Sequence, residues 1–297
     1  MKKSVSGVVA EKILKVIGAK NMYQNPNFMK LQEKINSLPT IVPPGQRVFW
    51  KKFKLGSFHY FATKRKSENI LIYFHGGAFV SGPNIFHWNF LKRLRRRTNF
   101  QIYFPMYPKA PAHNFKEAYD FIFEFYKEVC AKNPEANFVF MGDSAGGNIA
   151  LSFAQQVKAK NLKQPSKVIL FSPCLDLTLS NPQIDEIDKQ DIDPMLSKPS
   201  LKSAYEKWAN GEDLKNPVLS PFYGDCHNIG EITLFIGTQE VLLPENQDFK
   251  EKCEAEGIKI NFTKKDLMNH VYVLQPIKEG RQETRALIKT LNKKEKQ

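Results

Sequence analysis

The sequence predicts an α/β fold, in which a mainly parallel central sheet carries helices on both faces. From residue 70 onward, short apolar segments typical of buried strands alternate with longer segments of helical periodicity. One apolar strand, residues 137–141, runs directly into Gly142-Asp143-Ser144-Ala145-Gly146, and a small-residue helix follows. Because ligands of such sheets bind at the carboxyl ends of strands, we expect the functional residues to follow strands.

The first 40 residues predict one or two short helices with two apolar faces. The first face comprises Ile13, Leu14, Val16 and Ile17, and the second comprises Phe28, Leu31 and Ile35. Because this segment is too small to fold alone, we expect it to lie over the rest of the chain as part of a lid. Several prolines then mark the entry to the main domain, which spans residues 41–297.

The sequence of the main domain predicts eight strands and several helices. The strands are residues 47–55, 58–63, 70–74, 101–104, 137–141, 168–172, 232–236 and 258–263. The clearest helices are residues 115–131, 145–158, 246–256 and 275–292. A polar, proline-punctuated stretch at about 177–216 interrupts the alternation, and we interpret it as an insertion that forms the second part of the lid.

Ser144 occupies the apex of the tight turn between strand 137–141 and the following helix. Such a turn forces a serine into a strained backbone conformation and holds its hydroxyl away from the sheet. Glycines two residues before and after it are needed, because a Cβ atom there would collide with the neighbouring strand or helix. Ser144 is therefore the candidate nucleophile. The alternative, a glycine-rich turn that only caps a helix, leaves the partner groups found elsewhere unexplained.

A second glycine-rich segment, His75-Gly76-Gly77-Ala78-Phe79, follows a continuous apolar strand. Adjacent glycines let N–H groups point into a cavity instead of pairing in the sheet. A tetrahedral oxyanion needs two or three such donors, and the candidates are Gly76, Gly77 and Ala145, which begins the helix after Ser144. We expect His75 to brace this loop rather than to take part in chemistry.

A nucleophilic serine needs a base, and in this architecture the histidine follows the serine in chain order. Only His227 and His270 come after Ser144. His270 follows strand 258–263 and therefore reaches the carboxyl end of the sheet, so we predict it as general base and acid. A surface histidine without a role is the alternative.

The histidine in turn needs a carboxylate that fixes its tautomer and stabilises its charged form. That carboxylate should lie just past strand 232–236, where Glu240 comes first. Glu245 and Asp248 lie further along the chain and are the weaker candidates.

The substrate pocket is expected to be apolar, with Phe79 and the lid aromatics Tyr205 and Trp208 facing the substrate. Core packing within the lid is the alternative role for each of them. A serine mechanism requires no metal and no organic cofactor. The four cysteines have no paired spacing, which indicates reduced thiols rather than a zinc site or a disulfide framework.

The net charge is +14, which favours contact with nucleic acid or anionic surfaces. The densest basic run, residues 92–97, has helical apolar spacing, and we interpret it as a solvated helix face because no nucleic-acid motif accompanies it. Charged residues interrupt the first apolar run, and no apolar stretch is long enough to cross a bilayer. The sequence therefore predicts a cytoplasmic protein without a transmembrane segment.

Taken together, the motifs resemble the hormone-sensitive-lipase-like group of α/β-hydrolases, which includes many bacterial carboxylesterases. The matching blocks run in family order and are His75–Phe79, Tyr107–Phe115, Gly142–Gly147, Ser172–Asp176, Ser220-Pro221 and His270. They cover about residues 70–275.

The resemblance implies an α/β-hydrolase fold with a lid from the N-terminal segment and the insertion. It implies Ser144 as nucleophile, His270 as base and Glu240 as acid, with oxyanion donors at Gly76, Gly77 and Ala145. Three positions depart from the family pattern: Ala78 replaces a third glycine, Glu240 replaces a commoner aspartate, and Val271-Tyr272 replaces Gly-Phe. None of these changes removes a required group.

The predicted function is a serine carboxylesterase that acts on small to medium acyl esters. Ser144 would form an acyl-enzyme, and His270 would activate the water that releases it. Hydrolysis of amides or N-acyl groups needs the same residues and stays an alternative. Two further functions also stay open: a non-catalytic ligand-binding protein of the same fold, and a nucleic-acid or membrane-surface binder that relies on charge.

Overall fold

The computed structural model describes residues 3–16 and 19–293, and within them eight strands form one sheet. The strands are β1 (Trp50–Leu55), β2 (Phe58–Thr63), β3 (Asn69–Phe74), β4 (Gln101–Met106), β5 (Asn137–Asp143), β6 (Lys167–Phe171), β7 (Glu231–Gly237) and β8 (Ile260–Lys265). Their spatial order is β1-β2-β4-β3-β5-β6-β7-β8. Strand β2 is antiparallel to β1 and β4, and the other neighbouring pairs are parallel.

The helices occupy the intervals between strands and the two segments predicted to form a lid. They are α1 (Val5–Val16), α2 (Pro26–Asn36), α3 (Ile85–Arg97), α4 (Phe115–Lys132), α5 (Ala145–Ala159), α6 (Gln183–Lys189), α7 (Lys198–Ala209), α8 (Leu243–Ala255) and α9 (Lys278–Leu291). The predicted α/β fold is therefore confirmed. Residues 47–49 are predicted as the start of the first strand but form a short helical turn. The amide of Phe49 donates to the carbonyl of Gln46, and the strand begins only at Trp50.

Two apolar cores lie on opposite faces of the sheet, as the continuous apolar strands predict. Successive residues of β3 alternate between them: Ile70, Ile72 and Phe74 face one core, and Leu71 and Tyr73 face the other. Helices α4, α5 and α8 pack on the first core, and α3 and α9 pack on the second. With helices on both faces, function is confined to the strand ends and their loops.

The N-terminal segment, predicted as residues 1–40, contacts the insertion at about 177–216 directly through its described residues. The amide of Tyr23 donates to Ser200 Oγ at 3.2 Å, and Ser203 Oγ donates to the carbonyl of Tyr23 at 3.1 Å. Ser197 Oγ also donates to the carbonyl of Lys20 at 3.2 Å. The two segments that the sequence assigns to a lid are thus joined to each other by these hydrogen bonds.

The apolar faces predicted for the N-terminal segment do not all pack inward. Ile13, Leu31 and Ile35 are 56%, 52% and 45% exposed. Leu14 and Phe28 are half-buried. The side chain of Val16 and the whole of Ile17 lie outside the described residues. The inward side of α1 carries the buried Gly7, which lies next to the side chains of Lys3 and Ser4, and Ala10, which packs against the second core.

Within residues 3–16 and 19–293, the structure contains no helix with the length and apolar character that a membrane span requires.

Candidate active site

Ser144 lies between the end of β5 and the start of α5, as predicted. Its backbone angles are φ 51° and ψ −123°, a combination that non-glycine residues adopt only under strain. The amide of Ser144 donates to the carbonyl of Phe171 at 2.8 Å, which ties the turn to neighbouring β6. The side chain is 8% exposed, so little solvent reaches the hydroxyl.

The glycines that flank Ser144 are required by close backbone contacts. A Cβ atom at Gly142 would lie 2.2 Å from the carbonyl oxygen of Gly146. A Cβ atom at Gly146 would lie 2.1 Å from the carbonyl oxygen of Phe74. Both distances are far below van der Waals contact, which confirms the steric explanation predicted for this turn.

His270 and Glu240 form a buried pair at the carboxyl ends of β8 and β7. His270 Nδ1 lies 2.9 Å from Glu240 Oε2, and both side chains are buried. The two weaker candidates for the acid have other partners. Glu245 Oε1 accepts the amide of Leu175 at 2.7 Å, and Asp248 Oδ2 accepts Asn181 Nδ2 at 2.6 Å.

Glu240 is held by donors from two further segments. Its Oε1 accepts Ser172 Oγ at 2.8 Å and the amide of Gly237 at 2.6 Å. Ser172 Oγ also accepts the amide of Val271 at 3.0 Å, so one hydroxyl bridges the acid turn and the histidine turn. Ser172 was not among the predicted site residues, although it begins one of the matching blocks and follows the carboxyl end of β6.

Hydrogen bonds connect the nucleophile turn to this pair through the end of β6. The carbonyl of Phe171 accepts the amide of Ser144, and the next residue, Ser172, contacts both Glu240 and Val271. The amide of Cys174 also donates to the carbonyl of Ser144 at 3.4 Å. The three predicted triad residues therefore converge on one strand end, although they lie far apart in sequence.

The pKa of His270 reflects two opposing effects. Burial lowers the pKa, but the hydrogen bond and charge of Glu240, with smaller effects from the charges of Asp193 and Asp143, raise it above its ordinary value. Because the carboxylate accepts from Nδ1, the proton of the neutral ring lies on Nδ1, and Nε2 is left able to accept a proton. This is the tautomer that a general base for Ser144 requires.

A second buried carboxylate, Asp193, lies beside the acid turn and was not predicted. Its Oδ2 accepts the amide of Val241 at 2.9 Å, and its Oδ1 accepts the amide of Met195 at 2.8 Å. Burial raises the pKa of Asp193 to about 6, against the charge of His270 and these amides. Asp193 thus ties the insertion to the residue after Glu240, a link that no local pattern in a polar insertion predicts.

The prediction for the oxyanion donors is wrong at Gly76. Its amide donates to Asp143 Oδ1 at 3.0 Å, so it is not available to a substrate. The amides of Gly77 and Ala78 donate to no acceptor within the described residues. Gly77 and Ala78 have φ angles of 120° and 51°, which turn their amides away from the sheet. Ala78, left out of the prediction, therefore takes the place of Gly76 as a candidate donor beside Gly77 and Ala145.

The Gly76 amide donates to Asp143, whose buried carboxylate is held in position by groups on several sides. Tyr73 Oη donates to Oδ1 at 2.6 Å, and His87 Nε2 lies 3.2 Å from Oδ2. His87 Nδ1 accepts the amide of Asn84 at 3.0 Å, so the ring proton lies on Nε2 and points at the carboxylate. Burial raises the pKa of Asp143, but His87, Tyr73 and the Gly76 amide more than offset this and lower it.

His75 has the bracing position that the sequence predicts. Its Nδ1 lies 2.8 Å from the carbonyl oxygen of Gly76, and Tyr107 Oη donates to the carbonyl of His75 at 2.7 Å. The rings of His75 and Tyr107 stack with centroids 4.4 Å apart. Burial lowers the pKa of His75 well below its ordinary value, so the ring stays neutral and acts as a packed support for the loop.

The three aromatic residues predicted for the pocket are brought together by α7 and the glycine-rich loop. Phe79 and Trp208 stack with centroids 4.7 Å apart, and Tyr205 packs edge-on against Phe79 at 5.9 Å. All three side chains are buried. The insertion is thereby packed against the loop that supplies the candidate oxyanion donors.

The part of the chain that the structure describes contains no group of three or more His, Cys, Asp or Glu side chains suited to a metal ion.

Comparisons with known proteins identify the family of the chain. A family model described as alpha/beta hydrolase fold matches residues 71–274. An esterase of Acinetobacter venetianus is 31% identical over 203 residues, which are 67% of this chain and 66% of that protein. A carboxylesterase/phospholipase of Mycobacterium tuberculosis, LipF, is 34% identical over 200 residues, which are 64% of this chain and 52% of that protein. The chain thus matches between about half and two thirds of each relative's length.

The fold also matches solved structures. The crystal structure of a hormone-sensitive lipase from a metagenome library superposes with a TM-score of 0.82 over 98% of this chain and 99% of that chain. The two sequences are 23% identical, so this likeness concerns the fold.

The close contact at Gly146 predicts a loss of stability when a methyl group is added. We expect Gly146→Ala to lower the free energy of unfolding by about 2–3 kcal/mol, because a backbone carbonyl must move to admit the Cβ atom. Urea denaturation measures this change. The control is Gly82→Ala, whose Cβ atom would meet only Asn36 Oδ1 at 3.7 Å and Lys109 Cε at 3.9 Å. Equal stability of the two variants would contradict the steric explanation.

The charge of Glu240 predicts a measurable shift in the titration of His270. We expect Glu240→Gln to lower the pKa of His270, because the amide retains an oxygen acceptor but removes the negative charge that raises it. Ring-proton chemical shifts followed by NMR across a pH range give this value. The ring of His113, a half-buried residue paired with Glu117, serves as the internal control. An unchanged pKa of His270 would show that the carboxylate does not tune the ring.

Proposed function

This chain is a member of the α/β-hydrolase family. We propose that it belongs to the hormone-sensitive-lipase-like group and hydrolyses carboxylic esters with Ser144 as nucleophile. The observation that carries the proposal is the buried pair of His270 and Glu240, whose atoms Nδ1 and Oε2 lie 2.9 Å apart near a strained serine turn. A buried carboxylate bonded to a histidine is costly to maintain, and a strained serine adds to that cost. Acyl transfer uses both features, because it needs a serine held at the apex of a tight turn as nucleophile and a histidine oriented as its base.

In the first half of the reaction, Ser144 Oγ attacks the ester carbonyl carbon while its proton passes to His270 Nε2. The carbonyl π electrons move to the oxygen, which becomes a tetrahedral oxyanion. As the carbon–oxygen bond to the alcohol breaks, His270 gives its proton to the leaving oxygen. The alcohol departs and Ser144 retains the acyl group as an ester.

In the second half, a water molecule takes the place of the alcohol. His270 accepts a proton from the water as its oxygen attacks the acyl carbon, and the proton then returns to Ser144 Oγ as the acid is released. Glu240 stabilises the protonated ring at both stages. Ser172 Oγ and the amide of Gly237 hold its other oxygen in place.

The oxyanion is stabilised by the amides of Gly77, Ala78 and Ala145. The first two belong to the loop after β3, and the third begins α5, where the positive end of the helix adds to the field. Donors in fixed positions need no reorganisation as charge develops, which is the main source of rate enhancement in such sites. Asp143 contributes indirectly, because its bond to the Gly76 amide orients the loop.

We infer that the substrates are small to medium acyl esters bound among apolar side chains. Phe79, Tyr205 and Trp208 pack against one another beside the oxyanion loop and shape the site through that packing. The N-terminal segment and the insertion act as a two-part lid. Among the relatives, one is named an esterase and another a carboxylesterase/phospholipase, which supports ester substrates. We also infer a cytoplasmic location, which the four unpaired cysteines favour.

Removal of the nucleophile gives the direct test of the proposal. We expect Ser144→Ala to reduce the hydrolysis of p-nitrophenyl esters by about 1,000-fold or more, with the fold retained. The control is Ser57→Ala, at an exposed hairpin tip. Turnover by Ser144→Ala equal to that of the unsubstituted chain would remove Ser144 from the mechanism. Matched p-nitroanilides tested beside the esters would reveal amide hydrolysis if they were the better substrates.

Distortion of the oxyanion loop tests the donor assignment. A Cβ atom at Gly77 would lie 2.5 Å from the carbonyl oxygen of Ser81, and its φ of 120° strains any L-residue. We expect Gly77→Ala to lower kcat about 100-fold with little change in KM, because the donors act on the transition state. Gly82→Ala in the same loop should retain kcat. A selective rise in KM would instead assign the loop to ground-state binding.

A further inference from the structure

Exposed apolar side chains are concentrated in the N-terminal segment. Of the twelve large apolar side chains that are exposed in the described residues, seven belong to this segment, and an eighth, Ile41, follows it directly. Scattered single residues of this kind are normal on a protein surface, but a concentration in one segment marks an interaction site. This segment also contacts the insertion beside the active site, through the hydrogen bonds between Tyr23 and α7.

Helix α1 presents its larger apolar residues outward. Val5, Val9 and Ile13 are spaced four residues apart, so they form one stripe along the helix, and Val5 is 81% exposed. The buried residue of this helix is Gly7, on the opposite side. Helix α1 thus carries small apolar residues on its inward side, among them Ala10 against the second core, and larger apolar side chains on the solvent side.

Helix α2 and the residues after it form a second stripe. Leu31, Ile35 and Leu38 follow at intervals of four and three residues, and Leu38 is 60% exposed. The inward face of α2 carries the buried Met29, so the helix is anchored on one side and open on the other. At its end, Asn36 Nδ2 donates to the carbonyl of Val80 at 2.7 Å, in the loop that follows the oxyanion donors.

Lysines accompany both stripes. Residues 1–41 contain seven lysines and two glutamates. Lys12 lies between the apolar residues of α1, and Lys30 and Lys34 adjoin those of α2; all three are exposed. Their side chains have no carboxylate partner within the described part of the chain. Each of the two helices therefore combines an exposed apolar stripe with unpaired lysines, and we call these two exposed sides together the outer face of the segment.

We propose that this outer face docks on an anionic lipid surface and brings the active site to esters held in that lipid. Apolar side chains would enter the boundary between headgroups and acyl chains, and the lysines would contact anionic headgroups. The docking itself is independent of the esterase activity, whereas the delivery of lipid esters rests on the proposed function. The contact of Asn36 with Val80 would place the docked segment next to the oxyanion loop.

Charge complementarity favours lipid over the other occupants of such a face. A second copy of the chain related by a two-fold axis would bring the same lysines, Lys12, Lys30 and Lys34, toward each other across the interface. A nucleic acid would satisfy the lysines but leave the apolar stripes in water. An anionic lipid surface satisfies both features at once.

The test measures sedimentation of the full chain with vesicles of phosphatidylglycerol and, separately, of phosphatidylcholine. We expect binding to phosphatidylglycerol and at least about tenfold weaker binding to phosphatidylcholine. The double substitution Val9→Ser with Ile13→Ser should weaken binding to phosphatidylglycerol about tenfold or more. Its control is Val48→Ser with Leu267→Ser, two exposed apolar residues outside the segment.

A second pair of variants separates local charge from total charge. Lys12→Gln with Lys34→Gln should weaken binding to phosphatidylglycerol about tenfold or more. Lys54→Gln with Lys264→Gln removes the same charge from exposed sites elsewhere and should change binding about twofold at most. Thermal unfolding of each variant checks that the fold is intact.

Several results would overturn the proposal. These are no binding of the unsubstituted chain to phosphatidylglycerol, equal losses in the variants and their controls, and loss of a dimer in solution as the only effect of the stripe variant. Binding is also measured with Ser144→Ala, which should sediment as the unsubstituted chain does. Retained binding without hydrolysis of any soluble ester would uphold the docking surface and reject the proposed function.

Discussion

A buried carboxylate, that of Glu240, is the interaction on which the candidate site depends. Ion burial costs several kcal/mol unless donors compensate it, and here the donors come from three segments of the chain. Gly237 supplies an amide, Ser172 a hydroxyl and His270 a ring N–H. Each donor lies at the end of a different strand or in the loop after it. The carboxylate therefore holds the ends of β6, β7 and β8 in one arrangement.

Asp143 has the corresponding role on the other side of the nucleophile. Its carboxylate binds the amide of Gly76, which orients the oxyanion loop, while Tyr73 and His87 hold it in place. Ser144 follows directly in the chain and adopts its strained conformation between the two buried anions. One anion thus fixes the base, the other fixes the loop of candidate oxyanion donors, and the strained turn holds the hydroxyl between them.

The sequence predicts the parts of this site that depend on chain order and strand ends. Ser144, Glu240 and His270 could each be selected because the fold dictates which loops meet. The sequence could not show that the Gly76 amide already has an acceptor, since that hydrogen bond depends on the side-chain conformation of Asp143. Asp193 could not be found either, because a carboxylate in a polar insertion resembles any solvated one until the insertion packs. The outward face of the N-terminal segment was missed for a related reason: periodicity reveals an apolar stripe but not which way it faces.

The most direct test of the account is the reaction of the intact chain with a fluorophosphonate probe, followed by peptide mass mapping. We expect one adduct on Ser144, formed rapidly by the unsubstituted chain and about 1,000-fold or more slowly after His270→Ala, because the ring must accept the serine proton. An adduct on another residue, or an unchanged rate after His270→Ala, would contradict the catalytic arrangement proposed here.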